Sequence, residues 1–409
     1  MSVTLISHHE DLIELCDHIR SSGIVAFDTE FVSESTYRAE LGLLQFATDT
    51  RSVAVDPLAV GDLSAWWEIM ADDQTTVIVH GGQAEVRFCL HKIGRPPGRL
   101  FDIQIAEGFR GRSYPLSYSA IVQRVLNQQV DGSQTRTDWL RRPLSRDQLQ
   151  YALEDVEHVL DIWRIQTKWL AAHDRLAWAE SEMQRMVDDI VADDATPPWQ
   201  RLSGVHKLSR RELAVVRQLA EWREQEAASC NRPTRRILRD DLLIDLARRK
   251  PTTVQKALAT RDLNRPDYKR RLEDVVRVIS EALQVPDDQL PAKLRNRRQE
   301  SSSDEQVISK LLSLSLANLC AELDISQTLV ANNKDLAELV RHHRFRSGQN
   351  GVPRILEGWR SQVFGQLLLD VMDGKVGFRV APPSASTPLQ FQYDDECAVQ
   401  DSDSAGCAD

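Results

Sequence analysis

Cysteine is scarce in this chain of 409 residues, which has only six, at positions 16, 89, 230, 320, 397 and 407. No two of them form a C-x-x-C spacing. This argues against a disulfide framework and against a zinc site built from paired cysteines. The pattern is typical of a reducing compartment, and we expect the protein to be cytoplasmic.

Long apolar runs are also lacking, since no stretch approaches the ~18 residues of a membrane span. Residues 1–11, MSVTLISHHED, show no basic region followed by an apolar core, so no secretory signal is expected. Hydrophobic residues make up 42% and charged residues 27%, as in globular proteins. The length suggests two or three domains, and the lack of a long apolar run suggests no membrane partner.

The net charge of −10 hides an asymmetry along the chain. Residues 201–300 contain 24 Lys and Arg against 15 Asp and Glu, a local excess of nine positive charges. The rest of the chain therefore carries −19. A basic segment in an acidic protein favours polyanion binding there, although a solvated, arginine-rich helical face would give the same count.

The first 190 residues alternate β-type runs with helical stretches. Strands are predicted at residues 23–27, 41–47, 52–55, 76–80 and 100–102, the second and third forming a hairpin. Ser145 and Gln148 form an S-x-x-Q capping box, so a helix is predicted from there through Tyr151, Asp155 and Val159, with another near 176–191. These elements indicate an α/β layer architecture with a five-stranded sheet.

The remainder is predicted to be helical between linkers. An α/β domain over residues 1–192 is followed by a linker at 193–208 and a helical domain at 209–298, with breaks at 231–233 and 250–251. A second linker at 299–306 precedes another helical domain at 307–380. Residues 381–409, rich in Ser, Asp, Pro and Gln, are predicted to be a disordered acidic tail.

Asp28 and Glu30 stand at the end of the first strand, where positions i and i+2 point to the same face. Two carboxylates so placed can hold divalent cations, because Mg²⁺ prefers oxygen ligands. The D-x-E pattern is common by chance, and these two acids could be ordinary surface residues.

Tyr151 and Asp155 are one helical turn apart and share a face. Asp155 could complete a metal site while the Tyr151 hydroxyl aligns an attacking water; the alternative is a half-buried tyrosine beside a solvated acid. Glu85 lies early in the helix after the fourth strand and would face the same end of the sheet as Asp28. An acid is also favourable in any helix's first turn.

Four carboxylates that converge at one place suit phosphodiester hydrolysis. Two metal ions about 3.5–4 Å apart generate a hydroxide and stabilise the departing oxyanion. About four acids balance two dications beside an anionic substrate.

The motifs that surround these acids resemble a known family. FDTEF (27–31), LGLLQF (41–46), H-x-x-x-x-E (80–85), LFDIQIA (100–106), TRTDWLRRPL (135–144) and YALEDV (151–156) occur in this order. Over residues 5–190 the chain resembles bacterial ribonuclease D, a 3′→5′ exoribonuclease of the DEDD group. The resemblance implies that Asp28, Glu30, Glu85 and Asp155 hold two Mg²⁺ or Mn²⁺ ions and that Tyr151 positions the water.

The helical region resembles HRDC domains, the nucleic-acid-binding modules of ribonuclease D and RecQ-type helicases. The matching stretches are EWREQEAA (221–228), Arg232-Pro233 and LLIDLARRKPTT (242–253), while 307–380 looks like a more divergent copy. The expected fold is an α/β RNase H-like exonuclease domain, a mixed five-stranded sheet flanked by helices, followed by two all-α HRDC-type domains.

One position departs from the family, which usually has Asp where this chain has Glu85. The extra methylene moves the carboxylate by roughly 1.5 Å, about one C–C bond. An alternative function is therefore a nucleic-acid-binding protein with an impaired nuclease centre. A DNA 3′→5′ exonuclease is a further alternative, because a metal site does not inspect the sugar.

The expected reaction is stepwise hydrolysis of RNA from the 3′ end, releasing nucleoside 5′-monophosphates. The resemblance implies tRNA precursors or other small structured RNAs as substrates for a monomer without a small-molecule cofactor. RNA-contacting candidates are Gln45, His80, Arg136, Arg232, Arg235, Arg236, Arg248 and Arg249. Gln45 and His80 could equally be structural. Arg136 could instead lock a loop through an ion pair, and each of the other arginines could belong to a solvated helix face.

Overall fold

The computed structural model describes residues 4–130, 137–294, 302–345 and 351–393. These residues form two compact units. Unit 1 takes the described residues within 1–100, 131–160 and 184–299, and unit 2 those within 101–130, 161–183 and 300–409. Across the described ranges, no helix has the length and apolar character needed to cross a bilayer.

A mixed sheet of six strands underlies the first hundred residues. Its strands are β1 (Leu5–Ile6), β2 (Ile24–Val32), β3 (Glu40–Ala47), β4 (Ser52–Val55), β5 (Thr76–Val79) and β6 (Leu100–Asp102), in the order β1-β4-β3-β2-β5-β6. β3 is antiparallel to both β2 and β4, whereas β5 is parallel to β2 and β1 is parallel to β4.

The expectation of five strands is therefore wrong by one. β1 could not be predicted from a sequence pattern because it has only two residues, Leu5 and Ile6. It belongs to the sheet through its pairing with Ala54 and Val55. β2 also continues past Asp28 to Val32, so the first acidic pair lies within the strand.

Helices α1–α9 occupy the segments between and after these strands. Their bounds are α1 (His9–Ser22), α2 (Pro57–Val60), α3 (Ser64–Met70), α4 (Gln83–Ile93), α5 (Ile103–Gly108), α6 (Tyr118–Leu126), α7 (Arg146–Glu157), α8 (Val159–Ala172) and α9 (Leu176–Ala195). Ser145 caps α7 in the predicted capping box with Gln148. The helix ends at Glu157 instead of running through Val159.

The sheet buries both faces. On one face Phe27 and Phe46 pack against Trp66 of α3, with ring centroids 4.6 and 4.7 Å from the tryptophan. On the other face Leu43 and Ala54 pack against α7 and the segment before it. Because neighbouring residues on a strand alternate between faces, Asp28 lies on the α7 side, opposite Phe27.

The predicted helical domain after residue 209 is present in unit 1. It consists of α10 (Arg210–Ser229), α11 (Thr234–Ile237), α12 (Asp240–Arg249), α13 (Val254–Leu258), α14 (Pro266–Lys269) and α15 (Leu272–Leu283). Both predicted breaks contain a residue in the left-handed region, Asn231 with φ 47° and Lys250 with φ 49°.

The segment predicted as a linker at 193–208 differs from expectation. α9 continues to Ala195, and Trp199, Leu202, Val205 and Leu208 are buried in the core of the helical domain. Burial of four apolar side chains contributes several kcal/mol, at roughly 1.5–3 kcal/mol each. The Pro197-Pro198 pair therefore lies at the start of the helical domain, and the segment after it is part of that domain and not a linker.

Unit 2 holds the C-terminal helices. They are α16 (Ser303–Leu323), α17 (Gln327–Val330), α18 (Asn333–Phe345), α19 (Gly358–Arg360) and α20 (Gln366–Met372). Within this unit Glu182 of α9 is 2% exposed and accepts hydrogen bonds from Arg354 and Arg360, while Trp178 stacks on Trp359. α16 begins inside the linker predicted at 299–306.

The predicted disordered tail, 381–409, also differs. Strand β7 (Val376–Val380) pairs with β8 (Leu389–Tyr393) in an antiparallel hairpin. Phe378 and Phe391 face each other across it, with ring centroids 5.8 Å apart. This aromatic pair supplies the cross-strand packing that the polar composition of the segment conceals. Residues 394–409 lie outside the described residues.

Candidate active site

The first acidic pair is placed by the central strands. Asp28 of β2 stands opposite Gln45 of β3, and Glu30 stands opposite Leu43. A register irregularity follows directly, between Glu30 and Phe31. Bulges of this kind re-aim side chains near active sites. Both carboxylates therefore leave the sheet on the side that α7 covers.

Glu85 is positioned by a turn that requires glycine. Gly81 has φ +66°, and a Cβ on Gly82 would lie 2.3 Å from Val79 Cγ2. This tight turn leads from β5 directly into α4 and puts Glu85 in its first turn. Glu85 is 4% exposed, and its Oε1 accepts a hydrogen bond of 2.5 Å from the Thr29 hydroxyl.

α7 brings the remaining pair to the sheet. Tyr151 and Asp155 share a side-chain hydrogen bond, in which the phenol donates to the carboxylate. Trp139 stacks on Tyr151 with ring centroids 6.3 Å apart and an interplanar angle of 30°. The tyrosine is thus fixed from one side by an indole and from the other by Asp155.

The segment before α7 is anchored to the sheet by one arginine. Arg142 makes two 2.7 Å hydrogen bonds to the carboxylate of Asp56 and one of 2.7 Å to the Gly42 carbonyl. Gly42 must be glycine, because a Cβ there would lie 2.5 Å from the Cβ of Trp139. These contacts position the indole that packs against Tyr151.

Electrostatics indicates that the four acids lie close together. Burial raises the pKa of Asp28 well above its usual value, and the carboxylates of Glu85, Asp155 and Glu30 raise it further. Burial, followed by Asp155 and Glu85, raises the pKa of Glu30 to about 8. Burial also raises the pKa of Asp155 to about 6. Like charges disfavour ionisation in this way only when they lie close together.

The phenol of Tyr151 experiences the same field. Burial is the largest cause that raises its pKa above the usual value, and Asp155 and Glu30 add to it. Tyr151 therefore stays protonated at every physiological pH. It can donate a hydrogen bond, but it cannot serve as a base.

In the described ranges, no three His, Cys, Asp or Glu side chains are arranged as ligands of one metal ion. The raised pKa values of Asp28 and Glu30 nevertheless indicate that the carboxylates of Glu85 and Asp155 lie near both of them. The two observations agree if the side chains are close but not convergent, as with Glu85, which turns towards Thr29. The all-oxygen donor set fits Mg²⁺ or Mn²⁺, and divalent cations would offset the charge that raises these pKa values.

Two predicted RNA contacts lie near this cluster but differ in exposure. His80 follows β5 and is partly buried. Gln45 is 0% exposed, so the expectation that it contacts RNA is at odds with its position beneath α7. Among the described residues, neither Nε2 nor Oε1 of Gln45 has a hydrogen-bond partner.

The basic segment is largely neutralised by its own acids. Its ion pairs include Arg211–Asp287, Arg223–Asp240, Arg239–Asp241, Lys250–Glu212, Arg271–Glu226 and Arg277–Glu281. The count of positive charges therefore overstates the free charge that this surface offers to a polyanion.

The predicted RNA-contacting arginines behave differently from these pairs. Arg232, Arg236, Arg248 and Arg249 are exposed, and the described chain holds no ion-pair partner for any of them. Arg235 is 81% exposed and lies 3.6 Å from Asp240. Arg136 lies outside the described residues.

A cavity of about 840 Å³ opens beside these arginines. Arg235, Arg236 and Arg248 line it, together with Tyr268 and with Glu34 from the loop after β2. The loop that follows β2 therefore contributes one residue to this cavity, whose lining contains both arginines and acids.

Side-chain contacts fix this loop to the helical domain. The Tyr37 hydroxyl donates to Glu224 at 2.9 Å, and the Tyr37 amide donates to the Asn231 side chain at 3.2 Å. Asn231 in turn donates to Glu40 at 2.6 Å. These contacts could not be predicted from local sequence patterns, because the partners are about 190 positions apart in the chain.

Family models match two parts of the chain. Residues 3–170 match a 3′-5′ exonuclease model, and residues 212–279 match an HRDC domain model. The first match contains all five predicted catalytic residues, and the second contains the five exposed arginines.

Known relatives match over most of the chain. It is 31% identical to ribonuclease D of Bartonella henselae, over 94% of this chain and 93% of that protein. It is also 31% identical to ribonuclease D of Desulfotalea psychrophila, over 88% of this chain and 95% of the relative. The structure of Escherichia coli RNase D, an exoribonuclease involved in structured RNA processing, matches with a TM-score of 0.79 and 26% identity. That match covers 91% of this chain and 99% of the other.

Proposed function

Because the chain belongs to the ribonuclease D family of 3′→5′ exoribonucleases, we propose that its acidic cluster hydrolyses RNA from the 3′ end and releases nucleoside 5′-monophosphates. The observation that carries this proposal is the raised pKa of Asp28 and of Glu30, to which burial contributes most and the neighbouring carboxylates of Glu85 and Asp155 add. Elevated carboxyl pKa values within one buried cluster are typical of functional sites.

Asp28, Glu30, Glu85 and Asp155 are proposed to hold two Mg²⁺ or Mn²⁺ ions. When bound, two divalent cations supply a hydroxide at neutral pH and stabilise the leaving oxyanion. The family is dependent on divalent metal. The number of ions and the identity of the four ligands are what we propose for this chain. The all-oxygen donor set and the charge repulsion among the acids support it.

Tyr151 is proposed to orient the attacking water through its hydroxyl. Its raised pKa keeps the proton on the phenol, which donates it to Asp155, so the hydroxyl oxygen is left to accept a hydrogen bond from the water. The stack on Trp139 limits the ring to one plane. No protein nucleophile and no covalent intermediate are needed.

Glu85 decides between an active nuclease and the alternative, an RNA-binding protein with an impaired centre. Its carboxylate is held by Thr29 and still raises the pKa of both Asp28 and Glu30. The longer side chain is therefore near enough to Asp28 and Glu30 to influence their ionisation, although its hydrogen bond is to Thr29. This favours an active centre.

RNA is proposed to bind across the HRDC domain. Arg232, Arg236, Arg248 and Arg249 are available to phosphates, which take most protein–nucleic-acid hydrogen bonds without reading sequence. The Tyr37–Asn231 contacts hold this surface against the loop after β2. A structured RNA body on the HRDC domain could thus deliver a frayed 3′ end to the acids.

The proposed substrates are tRNA precursors and other small structured RNAs with single-stranded 3′ ends. The description of the Escherichia coli relative as acting in structured RNA processing supports this class. Residues 307–380 are proposed to be a second, divergent HRDC-type domain. The enzyme is proposed to act as a cytoplasmic monomer with no small-molecule cofactor.

A substitution series at position 85 tests the proposal. Wild type with Mg²⁺ or Mn²⁺ should shorten a 5′-labelled RNA stepwise, and Glu85→Gln should remove this activity while leaving RNA binding intact. Glu85→Asp should stay active. An inert wild type beside an active Glu85→Asp variant would instead establish the impaired-centre alternative. Matched RNA and DNA oligomers in the same assay separate the two substrate classes.

A further inference from the structure

Gln45 is a buried amide on the strand next to Asp28. It is 0% exposed, and its Nε2 and Oε1 lack a hydrogen-bond partner among the described residues. Leaving a buried polar group without a partner is costly, so such groups are rare and call for an explanation.

The position of Gln45 limits the groups with which its amide can interact. It stands directly opposite Asp28 in the antiparallel pair of β2 and β3. Directly opposed residues share a face, with Cβ atoms about 4.5–5.5 Å apart. The amide therefore points to the same side of the sheet as the Asp28 carboxylate, beneath the helix that carries Tyr151 and Asp155.

Two other roles fit the observations less well. Direct contact with RNA is opposed by complete burial. Simple packing does not need an amide, because leucine or methionine would fill the same space without the cost of desolvating two polar atoms. A role that needs a hydrogen-bond donor beside Asp28 accounts for both the burial and the chemistry.

We propose that Gln45 is a positioning residue of the metal centre: its Nε2–H donates to the Asp28 carboxylate when the acidic cluster is ionised around divalent cations. An ionised carboxylate only accepts hydrogen bonds, and a carboxamide offers two donors. Holding the carboxylate in one orientation raises the affinity for metal, as hydrogen-bonding partners of ligating groups generally do. This inference rests on the proposed metal centre.

The test is Mn²⁺ binding to the full chain without RNA, measured by titration calorimetry, together with the melting temperature of the metal-free protein. Gln45→Met removes the amide at nearly constant volume. We expect its Mn²⁺ dissociation constant to rise about tenfold. Its metal-free melting temperature should equal or exceed that of wild type, because no hydrogen bond is lost.

Gln166→Met is the matched control. Gln166 is also 0% exposed, but its Nε2 donates to the Ile103 carbonyl at 3.0 Å and to Glu107 at 2.8 Å. This variant should melt earlier than wild type and bind Mn²⁺ unchanged. Weakened Mn²⁺ binding in the control would show that any buried Gln→Met change has this effect, and the role of Gln45 would be lost.

Gln45→Asn covers the case in which Gln45→Met does not fold. It keeps an amide but withdraws it by one methylene, so Mn²⁺ binding should again weaken. Wild-type affinity in either folded variant would overturn the role of Gln45 alone. Absence of Mn²⁺ binding to wild type would overturn the metal centre and the role of Gln45 together.

Discussion

Charged side chains are arranged in opposite ways in the acidic cluster and in the basic HRDC helices. In the cluster, acids are buried close to one another, and burial followed by the neighbouring carboxylates raises the pKa values of Asp28 and Glu30. In the HRDC domain, arginines such as Arg239 and Arg277 are each held by two acids. The first arrangement costs stability unless a cation is present, whereas in the second the paired arginines are already neutralised by their acids.

This difference shows where each region keeps its function. The cluster offers its whole charge to a ligand, whereas the helical domain offers only the few arginines outside its ion pairs. A net charge summed over residues 201–300 hides this, because it counts paired and unpaired arginines alike. Substitutions that affect one region and spare the other test the contrast.

The largest expected effect is on the acidic side. Asp155→Ala removes a proposed metal ligand and the partner of Tyr151, and we expect the rate of RNA hydrolysis to fall by about 10³-fold or more. RNA affinity should change little, because the HRDC surface is untouched. Single-turnover hydrolysis and equilibrium binding of the same RNA measure both, and a variant that retains the wild-type rate would contradict the assignment.

A smaller loss of hydrolysis rate is expected when Tyr151 is present but its ring is no longer fixed by its neighbour. Trp139→Ala removes the ring that stacks on Tyr151, and misplacing a catalytic group by ~1 Å costs about 10²-fold in rate. The KM for RNA should stay near that of wild type. Tyr151→Phe is the comparison: if both variants act through the same hydroxyl, the double variant should be no slower than Tyr151→Phe.

On the basic side, the unpaired arginines should matter for binding and not for chemistry. Arg236→Ala with Arg248→Ala should weaken RNA binding by about tenfold. It should also lower the slope of log affinity against log salt by about 1.4, at roughly 0.7 per contact with single-stranded RNA. Both residues line the cavity beside the loop after β2.

Arg270→Ala with Arg277→Ala is its matched control, because it removes the same charge from residues held in ion pairs. Its salt slope should stay within about 0.3 of wild type. Equal slopes for the two double variants would mean that unpaired arginines are no better at binding RNA than paired ones.

The smallest expected effect concerns stability and pH. The pKa of Glu30 is about 8 in the folded protein against 4.5 ordinarily, so the folded state holds this proton more tightly. The stability of the metal-free protein should therefore fall as pH rises from about 4.5 towards 8. Glu30→Gln removes this loss, and its free energy of unfolding at pH 8 should exceed that of wild type by about 0.5–2 kcal/mol.

Urea denaturation at pH 5 and pH 8 in the presence of chelator measures this difference. The advantage of Glu30→Gln should shrink at pH 5, where wild type is largely protonated. Adding Mn²⁺ at pH 8 should reverse the order, because only wild type keeps all four proposed ligands. A Glu30→Gln variant that is less stable than wild type at pH 8 without metal would contradict the repulsion argument.

Much of the fold could be predicted from local sequence patterns. β-type runs located β2 to β6, and the capping box located the start of α7 at Ser145. Elements whose stability comes from distant partners were missed. β1 depends on β4, and the hairpin of β7 with β8 depends on one aromatic pair in a polar segment.

The candidate site divides in the same way. The positions of Asp28, Glu30, Tyr151 and Asp155 follow from strand and helix periods, which fix the face on which a side chain lies. The burial of Gln45 could not be predicted, because it depends on α7 covering a face of β3. The Tyr37–Asn231 contact is equally invisible, since 194 positions separate the two residues.

Digestion of an RNA labelled at its 3′ end, with and without chelator, tests the central claim most directly. With Mg²⁺ or Mn²⁺, wild type should release labelled nucleoside 5′-monophosphate before any longer fragment, and chelator or Asp155→Ala should stop the release. Release that persists in excess chelator, or an oligonucleotide as the first labelled product, would contradict a metal-dependent acidic centre that acts on the terminal nucleotide.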